Sequence, residues 1–272
     1  MDTQLFPHMP ASLFLSHGSP DLVLKEVPAR QFLAALGQSV PRPKALLVVS
    51  AHFETARPAV TAAASPPTIH DFHGFPEQLY RLRYPAPGAP HLASRVAELL
   101  RGAGFECDLE RERGFDHGCW SPLMLAWPLA DIPVVQLSVQ PEKGAAHHIR
   151  LGRALEPLAG EGVLVIGSGS LTHDLRSFFA TRGADDMPPP SWVSEFADWI
   201  FRQLEAGDEA SLADYRARAP HAARNHPTDE HLLPLFVAFG AAGKGPRSAR
   251  IHASSLGGVL RLDSYAFEAA AA

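Results

Sequence analysis

Three histidines stand where the sequence could bring metal-binding groups together. His17 and His52 each follow an apolar run, in SLFLSH and ALLVVSAH, and His231 lies in HPTDEHLLPL. Neutral imidazole suits zinc, iron, copper or nickel, and thiolates are not needed. These residues are therefore candidate ligands of a divalent metal with open coordination positions. The alternative is three separate histidines satisfied by hydrogen bonds, because the candidates are far apart in sequence and form no short H-x-x-H motif.

The elements that would position these side chains are four apolar runs typical of buried strands. They are residues 12–17 (SLFLSH), 45–53 (ALLVVSAHF), 132–139 (IPVVQLSV) and 162–169 (GVLVIGSG), and the last leads within a few residues to His173. In open α/β sheets, ligands bind outside the carboxyl ends of the strands. Because three of these runs deliver a histidine at that end, we expect a single site at one edge of a sheet.

Helical patterns alternate with the predicted strands. Apolar residues recur at helical spacing in 91–102, 192–204 and 226–240. Gly37 is the expected C-cap of an earlier helix, and Thr228 is the expected N-cap of the last one. This alternation predicts an α/β fold with a central mostly parallel or mixed sheet flanked by helices, and with the metal site at the strand carboxyl ends.

We expect one catalytic domain over residues 1–272. The segment 183–190 (GADDMPPP) is the clearest flexible stretch, but the helical pattern after it returns to the same core. Final strands are predicted at 249–255 and 258–262, and the tail 268–272 is predicted to be disordered.

The composition excludes several classes of protein. With 46% hydrophobic and 19% charged residues, the chain is typical of a soluble globular enzyme. A net charge of −5 without a basic stripe argues against nucleic acid as a partner. No apolar run approaches the roughly 18 residues of a membrane span, and the N-terminus lacks the pattern of a signal peptide. Two cysteines form no disulfide framework, so we expect a cytoplasmic protein; the oligomeric state is left open.

Six motifs occur in a fixed order along the chain. They are SLFLSHGSP, SAHF, DFHGFPEQLYRLRYPAPG, GFDHGCWSPL, GSGSLTHDL and HPTDEHLLPL. Together they resemble the class III extradiol ring-opening dioxygenases, in the DOPA-dioxygenase-like branch of the LigB-type superfamily. The resemblance runs from about residue 10 to residue 267, and it is the order of six motifs, rather than any one of them, that makes it specific.

The resemblance implies a set of metal ligands. His17, His52 and His231 match the family positions that bind the metal. His173 matches a histidine beside the metal, which acts as an acid/base in some members and is counted with the ligands in others. Glu230 is an alternative to His231, because related enzymes use two histidines and one carboxylate.

The resemblance also implies catalytic roles. His173 is the candidate acid/base, and His117, in a predicted loop at 113–122, matches a pocket histidine that contacts substrate or bound oxygen. A neutral imidazole can accept a phenolic proton near pH 7 and return it later. One departure from the family pattern is His73 in DFHGFP, where an aromatic residue such as Tyr is expected. This position bears on substrate preference.

The activity implied is insertion of both atoms of O₂ into a catechol such as DOPA, with O₂ and a small catecholic molecule as partners. Fe(II) is the metal expected for catalysis, and Zn²⁺ is plausible as the bound ion because histidine sites generally prefer zinc to ferrous iron. Two alternatives use the same residues. One is a zinc-dependent hydrolase, since Zn²⁺ lowers the pKa of bound water to about 7. The other is a non-catalytic metal-binding protein.

Further residues near the motifs are candidates for supporting roles. Aromatic side chains that could form walls for a planar ring, or ordinary core, are Phe72, Phe75, Tyr80, Tyr84 and Trp120. Carboxylates that could fix a histidine tautomer are Asp71, Asp116 and Asp174. Residues 167–170 (GSGS) lack the lysine of a phosphate-binding loop and the dinucleotide fingerprint, so nucleotide binding is rejected.

Overall fold

The computed structural model describes residues 6–181 and 187–270. Within them the strands are β1 (Ser12–Ser16), β2 (Ala45–Glu54), β3 (Ala59–Thr61), β4 (Asp108–Glu110), β5 (Val134–Val139), β6 (Val163–Gly169), β7 (Arg247–His252), β8 (Ser255–Leu256), β9 (Leu260–Arg261) and β10 (Ser264–Glu268). The α-helices are α1 (Pro28–Ser39), α2 (Glu77–Tyr80), α3 (Pro90–Gly102), α4 (His117–Ala126), α5 (Gly144–Ala154), α6 (Pro157–Gly160), α7 (Leu175–Ala180), α8 (Ser191–Ala206), α9 (Glu209–Ala213), α10 (Tyr215–Arg218), α11 (Ala222–Asn225) and α12 (Leu233–Ala241). Short 3₁₀ helices span Pro20–Leu24 and Pro141–Lys143.

A mixed sheet organises these elements. Eight strands lie in the order β4-β3-β5-β2-β6-β1-β10-β7. The four central strands, β5, β2, β6 and β1, are parallel to one another. β10 pairs antiparallel with β1 and with β7, and β3 pairs antiparallel with β5. The predicted α/β fold with a mixed sheet is confirmed, and the parallel centre brings the carboxyl ends of β1, β2 and β6 to one edge.

Helices cover both faces of this sheet. Side chains of β2 alternate between the faces: Leu47 and Val49 pack with α3, α5, α8 and α12, whereas Leu46 and Val48 pack with α1 and α4. All four are completely buried. Burial on both faces explains why the strand segments are continuous apolar runs rather than alternating ones.

The ends of two predicted helices differ from the sequence expectation. Gly37 is not a C-cap, because α1 continues to Ser39. Its role is packing: a Cβ at Gly37 would lie 1.8 Å from the carbonyl oxygen of Ala126, so glycine permits α1 and α4 to approach closely. Thr228 is not an N-cap either, because α12 begins at Leu233. Short helices need no capping side chain when tertiary packing holds their ends.

The C-terminal strands also differ from the prediction. The segment predicted at 258–262 contains only the two-residue strand β9, and β10 was not predicted. Tyr265 and Phe267 of β10 are completely buried against the parallel sheet, which gives this strand its stability. Glu268 ends β10 rather than beginning a disordered tail, and residues 271–272 lie outside the described residues. Of the predicted flexible segment, residues 183–186 also lie outside them.

None of the helices in the described residues combines the length and the apolar character needed to cross a bilayer.

Candidate active site

β1 and β2 deliver the first two histidines to the same edge of the sheet. His17 follows β1 directly, and His52 lies near the carboxyl end of β2. The two strands flank β6, so their side chains meet above its end. The Nε2 atoms of His17 and His52 are 3.1 Å apart. The sequence prediction that strand ends bring these residues together agrees with this geometry.

Close packing of the chain before α12 adds His231 to the pair. A Cβ at Gly169 would lie 2.1 Å from the carbonyl oxygen of His231, and the amide of Ser170 donates to that oxygen at 2.8 Å. Gly167 permits the same approach by Pro234. The glycines of the GSGS segment therefore serve packing. The ring centre of His231 lies 5.5 Å from that of His17 and 4.9 Å from that of His52.

His117 begins a helix, not a loop as predicted. α4 starts at His117 because the carboxylate of Asp116 accepts from the amide of Cys119, as an N-cap does. The signal was present in the sequence, since Asp followed by a small-residue turn is typical of a helix start. Pro122 obscured it, because proline inside a helix removes a backbone donor. The His117 ring centre lies 3.9 Å from that of His52.

Because Pro122 lies inside α4, one helix carbonyl is left to accept a hydrogen bond from a residue that contacts His17. The missing N–H of Pro122 would have bonded the carbonyl of Gly118, four residues earlier. The Ser168 hydroxyl donates to this carbonyl instead. Because the only hydroxyl proton is used in that bond, the Ser168 oxygen accepts a hydrogen bond from Nδ1 of His17 at 2.9 Å. This fixes the tautomer of His17 with the proton on Nδ1 and the lone pair on Nε2.

Two carboxylates act in the same way on the other histidines. Glu230 Oε1 lies 2.8 Å from Nδ1 of His231. Asp71 Oδ2 lies 3.0 Å from Nδ1 of His117 and 3.5 Å from Nδ1 of His52. Each carboxylate accepts protons and donates none, so it favours the N–H on Nδ1. The Nε2 lone pairs of these rings are left for other partners.

The other two candidate carboxylates do not contact the site histidines. Asp116 caps α4 and also accepts from Ser50, Arg113 and Gln136. Asp174 caps α7, where it accepts from the amide of Ser177 at 3.0 Å. Of the three carboxylates, Asp71 therefore faces site histidines, and these are His52 and His117, which are distant from it in sequence.

His173 stacks on His231. The ring centres are 3.4 Å apart and the ring planes differ by 15°. Its amide donates to the carbonyl of Asn225 at 2.7 Å, which fixes the backbone after β6. Its Nδ1 is 3.9 Å from Glu230 Oε1, too far for a hydrogen bond. His226, five residues before His231, has a structural role. It is buried, and its Nε2 forms a hydrogen bond with the carbonyl of Leu171.

Burial keeps four imidazoles of the site, those of His17, His52, His173 and His231, neutral. Burial, followed by the charges of neighbouring histidines, lowers the pKa of His17 and of His231 well below the usual value. The same causes lower the pKa of His52 to about 3 and that of His173 to about 4. Near pH 7 these rings carry no proton on the second nitrogen, which is the state that binds metals.

Two groups of side chains have the spacing of a metal site. Candidate ligand atoms lie within 4.8 Å of one another in His17, His52 and His117, and likewise in His173, Glu230 and His231. The six residues of these two groups are the ligand and catalytic candidates from the sequence, and the fold brings them together. His73, which the sequence linked to substrate preference, is exposed and does not line the cavity beside the histidines.

A cavity of about 470 Å³ opens onto the histidines. Of the aromatic wall candidates, Phe72 and Phe75 line it, whereas Tyr80, Tyr84 and Trp120 do not. Trp120 instead anchors the preceding loop through a bond from its indole N–H to the carbonyl of Ile69. Lining residues that the sequence did not single out are Asp21, Lys25, Leu175, Phe178, Phe179 and Leu260.

We expect the Ser168→Ala substitution to weaken zinc binding about 10-fold to 100-fold, the usual effect of losing a group that orients a ligand. Without the hydroxyl, His17 can place its proton on either nitrogen. Competition with a chromophoric chelator measures the affinity. Ser121→Ala is the matched control, because this buried serine of α4 has a hydroxyl without a partner among the described residues. Equal affinities in the two variants would contradict the role given to Ser168.

The fold and the site define an α/β protein with a buried histidine cluster suited to a non-haem divalent metal, placed at the carboxyl ends of parallel strands. The family model described as the catalytic LigB subunit of aromatic ring-opening dioxygenase matches residues 2–259. The chain belongs to this family, and it is an extradiol ring-cleavage dioxygenase, an oxidoreductase.

Similar proteins match this chain in sequence or structure along nearly its whole length. A 4,5-DOPA dioxygenase extradiol of Beta vulgaris is 44% identical over 94% of this chain and 96% of its own length. A protein of the same name from Escherichia coli (strain K12) is 41% identical over 93% of each chain. The solved structure of an uncharacterized protein from Escherichia coli K12 superposes with a TM-score of 0.79 at 35% identity, over 95% of this chain and 99% of the other.

Proposed function

We propose that the protein opens the ring of a catechol that carries an amino-acid side chain, such as DOPA, at an Fe(II) ion held by His17, His52 and His231. One observation carries the proposal: each of these three rings has its Nδ1 facing a protein oxygen, so that three Nε2 lone pairs remain for one ion. The relatives named 4,5-DOPA dioxygenase extradiol support the choice of substrate.

The facing lone pairs of His17 and His52 support a cation between them. Two nitrogens that each carry a lone pair repel at 3.1 Å unless a positive charge lies between them. Rings that bind one ion at about 2.1 Å have centres about 4.5 to 5.3 Å apart. The centres of His17, His52 and His231 are 5.0, 5.5 and 4.9 Å apart, close to this range.

The same reasoning assigns other roles to the remaining residues of the cluster. Glu230 bonds Nδ1 of His231, so we infer that it orients the third ligand rather than replacing it. His173 is stacked nearly parallel on His231, and parallel rings direct their lone pairs side by side rather than toward one ion. We therefore infer that His173 is an acid/base and not an additional ligand.

Fe(II) is the metal that suits this chemistry, and Zn²⁺ is the ion that an isolated sample would readily carry. A bound Fe(II) ion would supply adjacent open positions for the two catechol oxygens and for O₂. The residues around it supply the positioning of the ring and the movement of protons. The cavity walls from Phe72 and Phe75 hold a planar ring and exclude water.

His173 accepts the second phenolic proton in this proposal. Burial lowers its pKa to about 4, so the ring is neutral before substrate binds. A catecholate next to the ring favours the protonated form, because an opposite charge raises the pKa of an imidazole. His173 would then be able to return this proton to an oxygen atom of the reacting substrate.

His117 faces the same space with Asp71 behind it. Burial alone would raise the pKa of the Asp71 carboxyl, but the hydrogen bonds and charge of His117 outweigh burial and lower it to about 2. The carboxylate therefore stays charged, and it holds the His117 ring in place through Nδ1, 3.0 Å from Oδ2. His117 lines the cavity, so in this proposal it contacts the substrate or oxygen there.

Oxygen uptake tests this proposal. Protein loaded anaerobically with Fe(II) should consume O₂ in proportion to DOPA and release a yellow ring-opened product, whereas zinc-loaded protein should not. Hydrolysis without oxygen uptake would favour the zinc hydrolase, and metal binding without any turnover would favour the non-catalytic alternative. No uptake with any catechol at confirmed iron occupancy would refute the proposed reaction.

A further inference from the structure

The charges that line the cavity are confined to one pair. Among the described residues that line it, and apart from the histidines, only Asp21 and Lys25 carry charge. The same lining includes the apolar side chains of Phe75, Phe178 and Leu260. A positive and a negative group on an otherwise apolar wall match a ligand that carries both charges itself.

The backbone ties this pair to the histidine cluster. Gly18 follows His17 with φ of +67°, a left-handed conformation that turns the chain away from β1. The 3₁₀ helix Pro20–Leu24 comes next, and Leu22 anchors it because its side chain is completely buried. Asp21 and Lys25 thus stand at a fixed place relative to His17.

The two charged groups lie close together but not within hydrogen-bond distance of each other. Lys25 Nζ lies 3.6 Å from Asp21 Oδ2, longer than a hydrogen bond, and the side chains are 25% and 23% exposed. The Ser19 hydroxyl donates to Asp21 and holds its carboxylate in place. A lysine has three N–H donors and a carboxylate about four acceptor positions, so each group can bond a ligand as well as its partner.

We propose that Asp21 and Lys25 recognise the zwitterionic end of an α-amino-acid catechol, with Lys25 binding the carboxylate and Asp21 the ammonium group. This inference rests on the proposed function and adds the residues that select the substrate. A partly desolvated ion pair discriminates more strongly than an exposed one, because water screens it less. The pair therefore selects among catechols by the charges they carry away from the ring.

A crossed experiment tests each charge separately. Lys25→Gln and Asp21→Asn are assayed with DOPA, dopamine, dihydroxyphenylpropionate and methylcatechol. Lys25→Gln should lower kcat/KM about 10-fold to 100-fold for the two carboxylates, DOPA and dihydroxyphenylpropionate, and leave dopamine and methylcatechol unchanged. Asp21→Asn should do the same for the two amines, DOPA and dopamine. Calorimetric binding to the zinc-loaded protein, which needs no turnover, should show the same pattern.

Controls distinguish failure of the role given to Asp21 and Lys25 from failure of the proposed reaction. Glu26→Gln removes the carboxylate of a neighbouring ion pair with Arg30, at 2.9 Å, that does not line the cavity, and it should leave kcat/KM for all four substrates unchanged. Methylcatechol reports folding and basal chemistry in every variant. A uniform effect of Lys25→Gln and Asp21→Asn on all four compounds, or none, would refute the role of the pair. Absence of turnover in the unsubstituted protein would instead refute the proposed function.

Discussion

Replacing His17 by alanine is expected to abolish stoichiometric metal binding and, with it, oxygen consumption. His17 is 1% exposed, and its Nε2 faces that of His52 at 3.1 Å. Its loss leaves two of three proposed ligands, and the affinity should fall by more than the roughly 100-fold that follows loss of an orienting group. His52→Ala should behave in the same way. Metal content after gel filtration, measured by elemental analysis, gives the result.

The controls for this prediction address folding and specificity. His73→Ala removes an exposed histidine outside the cavity lining and should retain full metal content. His17→Gln keeps much of the side-chain volume, so that loss of metal in both His17 variants cannot be ascribed to a cavity in the core. If either alanine variant keeps one metal ion per chain, the ligand assignment is wrong.

The second large effect is expected at His173. His173→Gln should bind metal as the unsubstituted protein does, yet turn over about 10²-fold to 10⁴-fold more slowly, the range of a lost acid/base group. The loss should fall on kcat, because the residue acts on a proton after the catechol has bound. Steady-state oxygen uptake measures kcat and KM, and elemental analysis measures the metal.

The two readouts distinguish the roles that the sequence left open for His173. If His173→Gln loses its metal, the residue is a ligand. If it keeps both metal and kcat, the residue is neither ligand nor acid/base. Added imidazole should partly restore turnover in His173→Gly, since a free base can enter a cavity of about 470 Å³. A residue that only filled space would gain nothing from an added base.

The elements that carry the site were predictable because their patterns are local. β1, β2, β5 and β6 are buried on both faces, and continuous apolar runs predict such strands. Once these strands are parallel, histidines that follow them must share an edge, which is why His17 and His52 could be paired from sequence alone. The run 162–169 also led to His173, and His231 was a candidate ligand from its residue type, but the roles of both came from the motif resemblance.

The parts that could not be predicted depend on distant contacts. The role of Ser168 requires a carbonyl of Gly118 that Pro122 leaves unbonded, in a helix that meets β6 only in the folded chain. β10 was missed because its burial comes from pairing with β1, at the far end of the sequence. Asp21 and Lys25 resemble any exposed pair in sequence, and only the cavity distinguishes them.

The reaction assigned to this protein is insertion of both atoms of O₂ into a catechol ring. Single-turnover reaction of the Fe(II)-loaded protein with DOPA under dioxygen labelled with the heavy oxygen isotope tests it most directly, with mass spectrometry of the ring-opened product. Both labelled atoms should enter the product, apart from exchange of the aldehyde oxygen with water, which trapping the product limits. A product labelled only from isotopically heavy water would contradict dioxygenation and indicate hydrolysis at the same histidines.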